Sequence, residues 1–196
     1  MTISFNPQLT TAPQSSFQVD TKGFVQGAFF DDPTTRLQLT AGIIASTVTQ
    51  PVWGGMTISE GVNVPNANQA GNPLTLAANY AGLTAFTVFN QANNMIIVPG
   101  NTVQQAVAGM SMSYFRLGSN ARIAVQCSAA LANALSAGLT NQQVSWDFVN
   151  QILVAFSVTA LPVKVLEVNT NSKIVSYNSG TGALTYTTGA CAIIQI

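Results

Sequence analysis

The runs PVKVLEV (Pro162–Val168), KIVSY (Lys173–Tyr177), ALTYT (Ala183–Thr187) and ACAIIQI (Ala190–Ile196) decide the fold class of this chain. They are rich in β-branched and aromatic residues and are separated by turn-forming clusters, Asn169-Thr170-Asn171-Ser172 and Asn178-Ser179-Gly180-Thr181-Gly182. Short β-type runs punctuated at regular spacing predict an antiparallel meander. Gly180 and Gly182 are expected to supply the positive φ of a hairpin loop, and no Gly-Lys-Ser/Thr follows to make them a phosphate cradle.

The same pattern recurs upstream. FVQGAFF (Phe24–Phe30), a turn at Asp31-Asp32-Pro33 and RLQLTAGIIASTV (Arg36–Val48) read as β-structure. In the last of these, Leu37, Leu39 and Ala41 alternate with Arg36, Gln38 and Thr40, the period-2 signature of a half-buried strand. LTAFTVFN and NMIIVPG are two more apolar runs, and Ser113–Leu117 and Ala121–Gln126 flank a Gly118-Ser119-Asn120 turn. Gly61 to Asn79, dominated by Asn, Pro and Gly, reads as a long loop. One short helix is expected from Ser128 to Ala137, with Ser128 as N-cap, Leu131 and Leu135 on one face and Gly138 just past its end. The first 19 residues carry no charge, hold Pro7 and Pro13, and space apolar residues at Ile3, Phe5, Leu9 and Phe17. Proline fixes φ and removes a donor, so this stretch reads as an extended arm. The expected fold is all-β, an antiparallel sandwich or barrel with jelly-roll topology among the options and at most one or two short helices. Residues 1–19 form the arm and residues 20–196 a single β-rich domain.

Composition narrows function. Of 196 residues only 12 are charged, six of each sign, and none is His; an average domain of this length would carry roughly 49. Asn, Gln, Ser and Thr, 68 residues together, supply the polarity instead. Zero net charge offers no basic footprint for a phosphate backbone, so no nucleic-acid partner is expected. Without His, Ser-His-Asp and Cys-His mechanisms and His-based zinc sites drop out. Cys127 and Cys191 are too few for a zinc site and read as buried thiols, with a single disulfide as the alternative. No basic segment followed by an apolar one opens the chain, and Phe148–Val163 is too short and polar to span a bilayer, so neither a secretory signal nor a membrane partner is expected.

Three constellations invite a chemical reading. Asp31 and Asp32 are adjacent and followed by proline, which makes a turn rather than a carboxylate pair facing across a substrate. Lys173 lies near Ser172 and Ser176 without an S-x-x-K motif. Trp53, Trp146 and Tyr80 could stack on a saccharide, whereas Trp146 in VSWDF also suits a core position with its indole N–H satisfied. No catalytic, cofactor-binding or metal-ligating residue is assigned, and the chain is expected not to be an enzyme.

A folded monomer of 20.5 kDa would expose about 8,900 Å², roughly one charge per 740 Å², far below the density that keeps small domains soluble. Burying hydrogen-bonded amides and hydroxyls against a partner costs little, whereas burying charges costs several kcal/mol each. The surface therefore suits a protein that works covered by neighbours.

VSWDF (Val144–Phe148), followed by ALPVKVLEVNTNSKIVSYNSGTGALTYTTGACAIIQI (Ala160–Ile196), resembles the C-terminal half of head decoration, or structural cement, proteins of tailed bacteriophages. The resemblance implies a non-catalytic β protein of the virion, made in the bacterial host cytoplasm. It would bind the outside of the capsid, bridge neighbouring major capsid proteins and self-associate as a homo-oligomer there. The expected contact residues are Ile3, Phe5, Leu9 and Phe17 of the arm, with Val64 and Leu74 of the Gly61–Asn79 loop. A tail-tube or fibre protein and a carbohydrate-binding β module are the alternatives.

Overall fold

The C-terminal runs form one long hairpin rather than a meander of four strands. In the computed structural model, which describes residues 23–30, 33–62, 71–89, 103–136 and 143–196, β11 spans Lys164–Asn178 and β12 Ala183–Gln195. The expected turn at Asn169–Ser172 is a bulge: Asn169 pairs with Cys191 and Ser172 with Gly189, so β11 accommodates an extra residue without reversing. Local hydrogen bonds hold the bulge, from the Asn171 N–H to Asn169 Oδ1 (2.7 Å) and from Ser172 Oγ to the Asn169 carbonyl (3.2 Å). Asn and Ser favour such side-chain to backbone bonds in a bulge as they do in a turn, which is why the two look alike in sequence.

β12 also pairs with β8 (Arg122–Gln126), giving a sheet of order β11-β12-β8. Beside it stands a closed five-stranded barrel, in order β1 (Thr40–Ile44), β4 (Asn72–Leu76), β3 (Thr57–Glu60), β5 (Ala85–Val88) and β7 (Ser111–Arg116). Only β1 and β4 run parallel within it. Two ribbons complete the β-structure, β2 (Val52–Trp53) with β6 (Gln105–Ala106) and β9 (Val144–Asp147) with β10 (Ile152–Ala155). The all-β reading holds, with two short helices among the described residues, α1 (Pro33–Arg36) and α2 (Ala129–Ser136). Ser128 caps α2 as expected, its Oγ accepting from the Leu131 N–H at 3.3 Å.

Three local expectations are corrected. Phe24–Phe30 is no strand; Val25 and Phe29 make isolated bridges to Lys173 and Ile123. Arg36 ends α1, and the strand begins only at Thr40, with Gly42 and Ile44 buried while Leu37 and Ala41 are exposed. The alternation was genuine but its phase was reversed, because the register is set by the barrel neighbours β4 and β7. Asn72–Leu76, inside the expected long loop, is strand β4, and Pro73 is tolerated there. The expected turn at Gly118–Asn120 is present between two strands, and it joins strands of different sheets. β7 pairs with β1 and β5, β8 with β12, and Asn120, at φ 59°, donates its N–H to the Ile196 carbonyl at 2.7 Å.

Two apolar clusters result. One takes Ile44, Leu74, Ile58, Ala85, Met112 and Tyr114 from the five barrel strands, together with Trp53 and Val175. The other lies between the barrel, the sheet and α2, and includes Phe86, Phe115, Ile123, Leu131, Trp146 and Ile194. β5 is buried along its whole length, presenting Ala85 to the first cluster and Phe86 and Val88 to the second.

The segment 23–30 ties these parts together. Gly27 donates its N–H to the Ala124 carbonyl on β8 (2.8 Å) and accepts at its own carbonyl from Phe89, just past β5 (3.0 Å). Gly27, at φ +87°, crosses Gly54 so closely that a Cβ on it would lie 2.5 Å from Gly54 Cα. Gly27→Ala should therefore destabilise the fold by roughly 2–4 kcal/mol through backbone overlap and φ strain. Gly182→Ala, also at positive φ but with nothing within 4 Å, should cost only about 1 kcal/mol. Urea unfolding of the two variants measures the difference, and equal losses would show that the crossing adds nothing.

Candidate functional site: the roots of two contact segments

Two segments were expected to contact a partner, and their roots are visible even though Ile3, Phe5, Leu9, Phe17 and Val64 lie outside the described residues. So do Asp31, Asp32, Gly138 and the NMIIVPG run. The root of the arm is at Gly23 and Phe24. The Phe24 N–H donates to Ser172 Oγ (3.1 Å), the Lys173 N–H to the Phe24 carbonyl (2.7 Å) and the Gln26 N–H to the Lys173 carbonyl (2.9 Å). Gln26 is buried, and its Oε1 accepts from the Val175 N–H at 2.8 Å. Ser172 is thus occupied as a structural acceptor and donor at the bulge, while Ser176, the other serine of the Ser-Lys reading, is exposed on β11.

The root of the loop is the other end of the barrel, where β3 finishes and β4 begins. The Gly61 N–H donates to the Pro73 carbonyl at 2.8 Å, and Asn72 Nδ2 donates to Glu60 Oε1. Glu60 also accepts from Tyr114 Oη (2.6 Å) and, in a two-pronged contact, from Arg116 Nε and Nη2 (2.6 Å each). One ion pair thus brings three barrel strands to a single carboxylate. The Arg116 guanidinium is the main reason the Glu60 carboxyl is held down at about 2, with Tyr114 and Asn72 adding to it against the cost of burial. Burial first and then Glu60 push the Tyr114 hydroxyl up to about 12. A carboxylate held so low and a phenol held so high are locked in one protonation state, which suits a clamp better than proton transfer.

Leu74 does not line this root. It is fully buried in the barrel core, its side chain facing inward from β4, so a partner cannot reach it. Two apolar residues flank the strands of this end and are exposed: Val62, 86% exposed, just after β3 and within the expected contact loop, and Leu37, 88% exposed, just before β1, which sequence reasoning placed otherwise. Leu37 had read as the apolar face of a strand. The signal against this was Pro33, which is preorganised to start a helix.

The three aromatics of the saccharide reading are not an exposed platform. Trp53 and Trp146 are buried, each with an indole N–H that has no partner among the described residues, so Trp146 is in the core but its N–H is not satisfied there. Tyr80 packs edge-on against Phe148, and its hydroxyl accepts from the Trp146 backbone N–H at 2.7 Å. Both cysteines are buried free thiols. Cys127 belongs to the cluster that Ala190 and Ala192 enter, which puts Cys191, between them, on the opposite face of the sheet. Burial pushes the Cys127 thiol up to about 12 and Cys191 higher still.

No group of three or more metal-ligating His, Cys, Asp or Glu side chains occurs among the described residues. Comparison with protein-family models, with curated proteins and with solved structures finds no match to this chain.

The clamp makes stability depend on acid. Because the folded state holds Glu60 near 2 against an ordinary 4.5, its contribution is complete above pH 4.5 and is lost as pH falls from there toward 2. Glu60→Gln should lower stability at neutral pH by about 1–2 kcal/mol, the range for hydrogen bonds to a charged group reduced by the exposure of Arg116. It should also flatten the acid side of the curve. Thermal unfolding from pH 2 to 7 reads both effects, and parallel curves would remove the clamp from the account.

Proposed function

We propose that this chain is a virion structural protein that decorates the exterior of a bacteriophage head and bridges neighbouring major capsid proteins. The observation that carries the reading is the placement of the two segment roots. The arm joins the fold beside β11, the segment it leads into meets the end of β5 through Gly27 and Phe89, and the loop leaves from the opposite end of the barrel, beside Glu60. A rigid barrel with contact segments rooted at opposite ends suits a bridge between two subunits. The near absence of charge suits a surface that is covered in its working state. The resemblance of Val144–Phe148 and Ala160–Ile196 to head decoration proteins is what suggests the major capsid protein as the partner.

In this reading the protein performs no chemistry. A packaged head is under internal pressure, and a bridging protein converts separation of two capsid subunits into loss of its own contacts. Linked contacts raise effective concentration, and the symmetry of a shell repeats them, so modest affinity at each contact suffices. Apolar arm residues, Ile3, Phe5, Leu9 and Phe17, would anchor one side. On the other side, Val62, exposed just past β3, replaces Leu74 as the apolar residue at the loop's root, and Val64 of the loop remains an expected contact.

The experiment is to add full-length protein, and protein lacking residues 1–19, to undecorated heads, and to measure occupancy by gel densitometry and survival on heating. Full-length protein should bind saturably and raise the temperature at which heads open, and the truncated form should lose most of its occupancy. Wild-type occupancy without the arm would remove its anchoring role. Equal survival of bare and decorated heads would remove the cement function.

A further inference from the structure

Every sheet leaves backbone N–H and C=O groups along its edges, and proteins protect such edges from pairing with other chains. The edges in this molecule are unequal in protection. The barrel closes on itself. The free side of β8 is covered by Gly27, Ala28 and Phe30, which bond to Ala124 and Arg122. β9 is covered by Leu161 through the Val144 carbonyl and by Thr159 through Ser145 Oγ, and β10 is bridged to Cys127. Phe24 and Gln26 cover β11 at Lys173 and Val175. Where β11 is bare near its start, it carries Lys164, Glu167 and a bulge, each a recognised deterrent to edge pairing, and beyond Val175 its uncovered edge is the short stretch Ser176–Asn178.

The outer edge of β12 from Ala183 to Gly189 has none of these. β8 pairs with β12 only from Cys191 to Gln195, and the Cys127 N–H extends that contact to Ala190. Before that point no described residue bonds to the outer side. The stretch is ALTYTTG, without charge or proline, and its pairing with β11 is regular from Asn178–Ala183 to Lys173–Thr188. No residue from Ile174 to Ile196 is charged. Leu184 and Tyr186 turn toward the barrel cluster, while Thr185 and Thr187 are exposed.

We propose that this edge is occupied by the same edge of a second copy of the chain, added antiparallel about a two-fold axis. Identical edges are self-complementary in that arrangement. Uncharged threonines facing one another across the axis have no like-charge repulsion to overcome, and two hairpins would merge into one four-stranded sheet. Seven residues span only about 23 Å, so the contact falls below the roughly 1,200 Å² that a stable dimer needs. Association is therefore weak in solution and becomes strong where copies are already concentrated on a common surface. This deepens the decoration reading, and because its test needs no capsid, the two can fail separately.

The test is sedimentation of the full-length protein from micromolar to millimolar concentration. Wild type should show a reversible monomer–dimer equilibrium. The pair Thr185→Lys and Thr187→Lys should weaken it about tenfold or more, since lysine is a standard edge deterrent. The pair Leu166→Lys and Thr170→Lys, adding the same charge to β11, should leave it unchanged. Thr185→Cys gives an independent reading that does not depend on the lysine variants folding, and should yield an intermolecular disulfide under oxidation at high concentration. A strictly monomeric wild type, equal weakening by both lysine pairs, or no intermolecular disulfide from Thr185→Cys would each overturn the proposal.

Discussion

The structure depends on one close passage of backbone. At Gly27 and Gly54 two segments cross with no room for a Cβ on either side, since one on Gly54 would lie 2.7 Å from Gly27 Cα. That proximity lets the 23–30 segment bond to β11 at Lys173, to β8 at Ala124 and to the end of β5 at Phe89. Barrel, sheet and hairpin thus share one connector. The turn at Gly55 completes the junction: its N–H donates to the Thr87 carbonyl at 2.7 Å, and Thr87 Oγ1 accepts from Met56 N–H and donates to the Trp53 carbonyl. A side chain at either glycine would overlap the other segment's backbone and push these layers apart.

The scarcity of charge takes a definite form inside the molecule. Where other proteins use ion pairs to join elements distant in sequence, this one uses buried amides and hydroxyls. Gln26 reaches β11 at Val175, and Gln151, at φ 56° in the β9–β10 turn, accepts at Oε1 from both the N–H and the hydroxyl of Thr57 on β3. Such neutral keys satisfy buried backbone groups without the desolvation cost of an ion. The ion pair of Glu60 with Arg116 stands at the mouth of the barrel, where Arg116 keeps contact with water. The same economy continues onto the surface, and there it favours contact with other molecules over solvation.

Much of the fold was legible because its signals are local. Runs such as AFTVF, MSYFR and ACAIIQI, and the Ser128 cap, predict strands and a helix close to where they occur. What was misread depends on partners far along the chain. Thr40–Ile44 chose its buried face from β4 and β7, not from its own alternation, and Asn169–Ser172 became a bulge because Gly189 was opposite to receive it. At the candidate site, the arm and loop could be picked out by composition. That Leu74 points into the core while Leu37 and Val62 point out could not, because burial is settled by which strands close the barrel.

By itself the sequence determined the class: β-runs between turn residues, few ions, and abundant amides and hydroxyls. Only the tertiary structure decided that the C-terminal runs make a single hairpin, that the barrel closes through a parallel β1–β4 pair, and that segment roots fall at opposite ends of it. The reason is that residue type reports on preferences within a few residues, whereas pairing, register and closure are choices among distant backbone edges. Those choices are made jointly, by whichever arrangement buries the apolar faces and leaves the fewest buried polar groups unbonded.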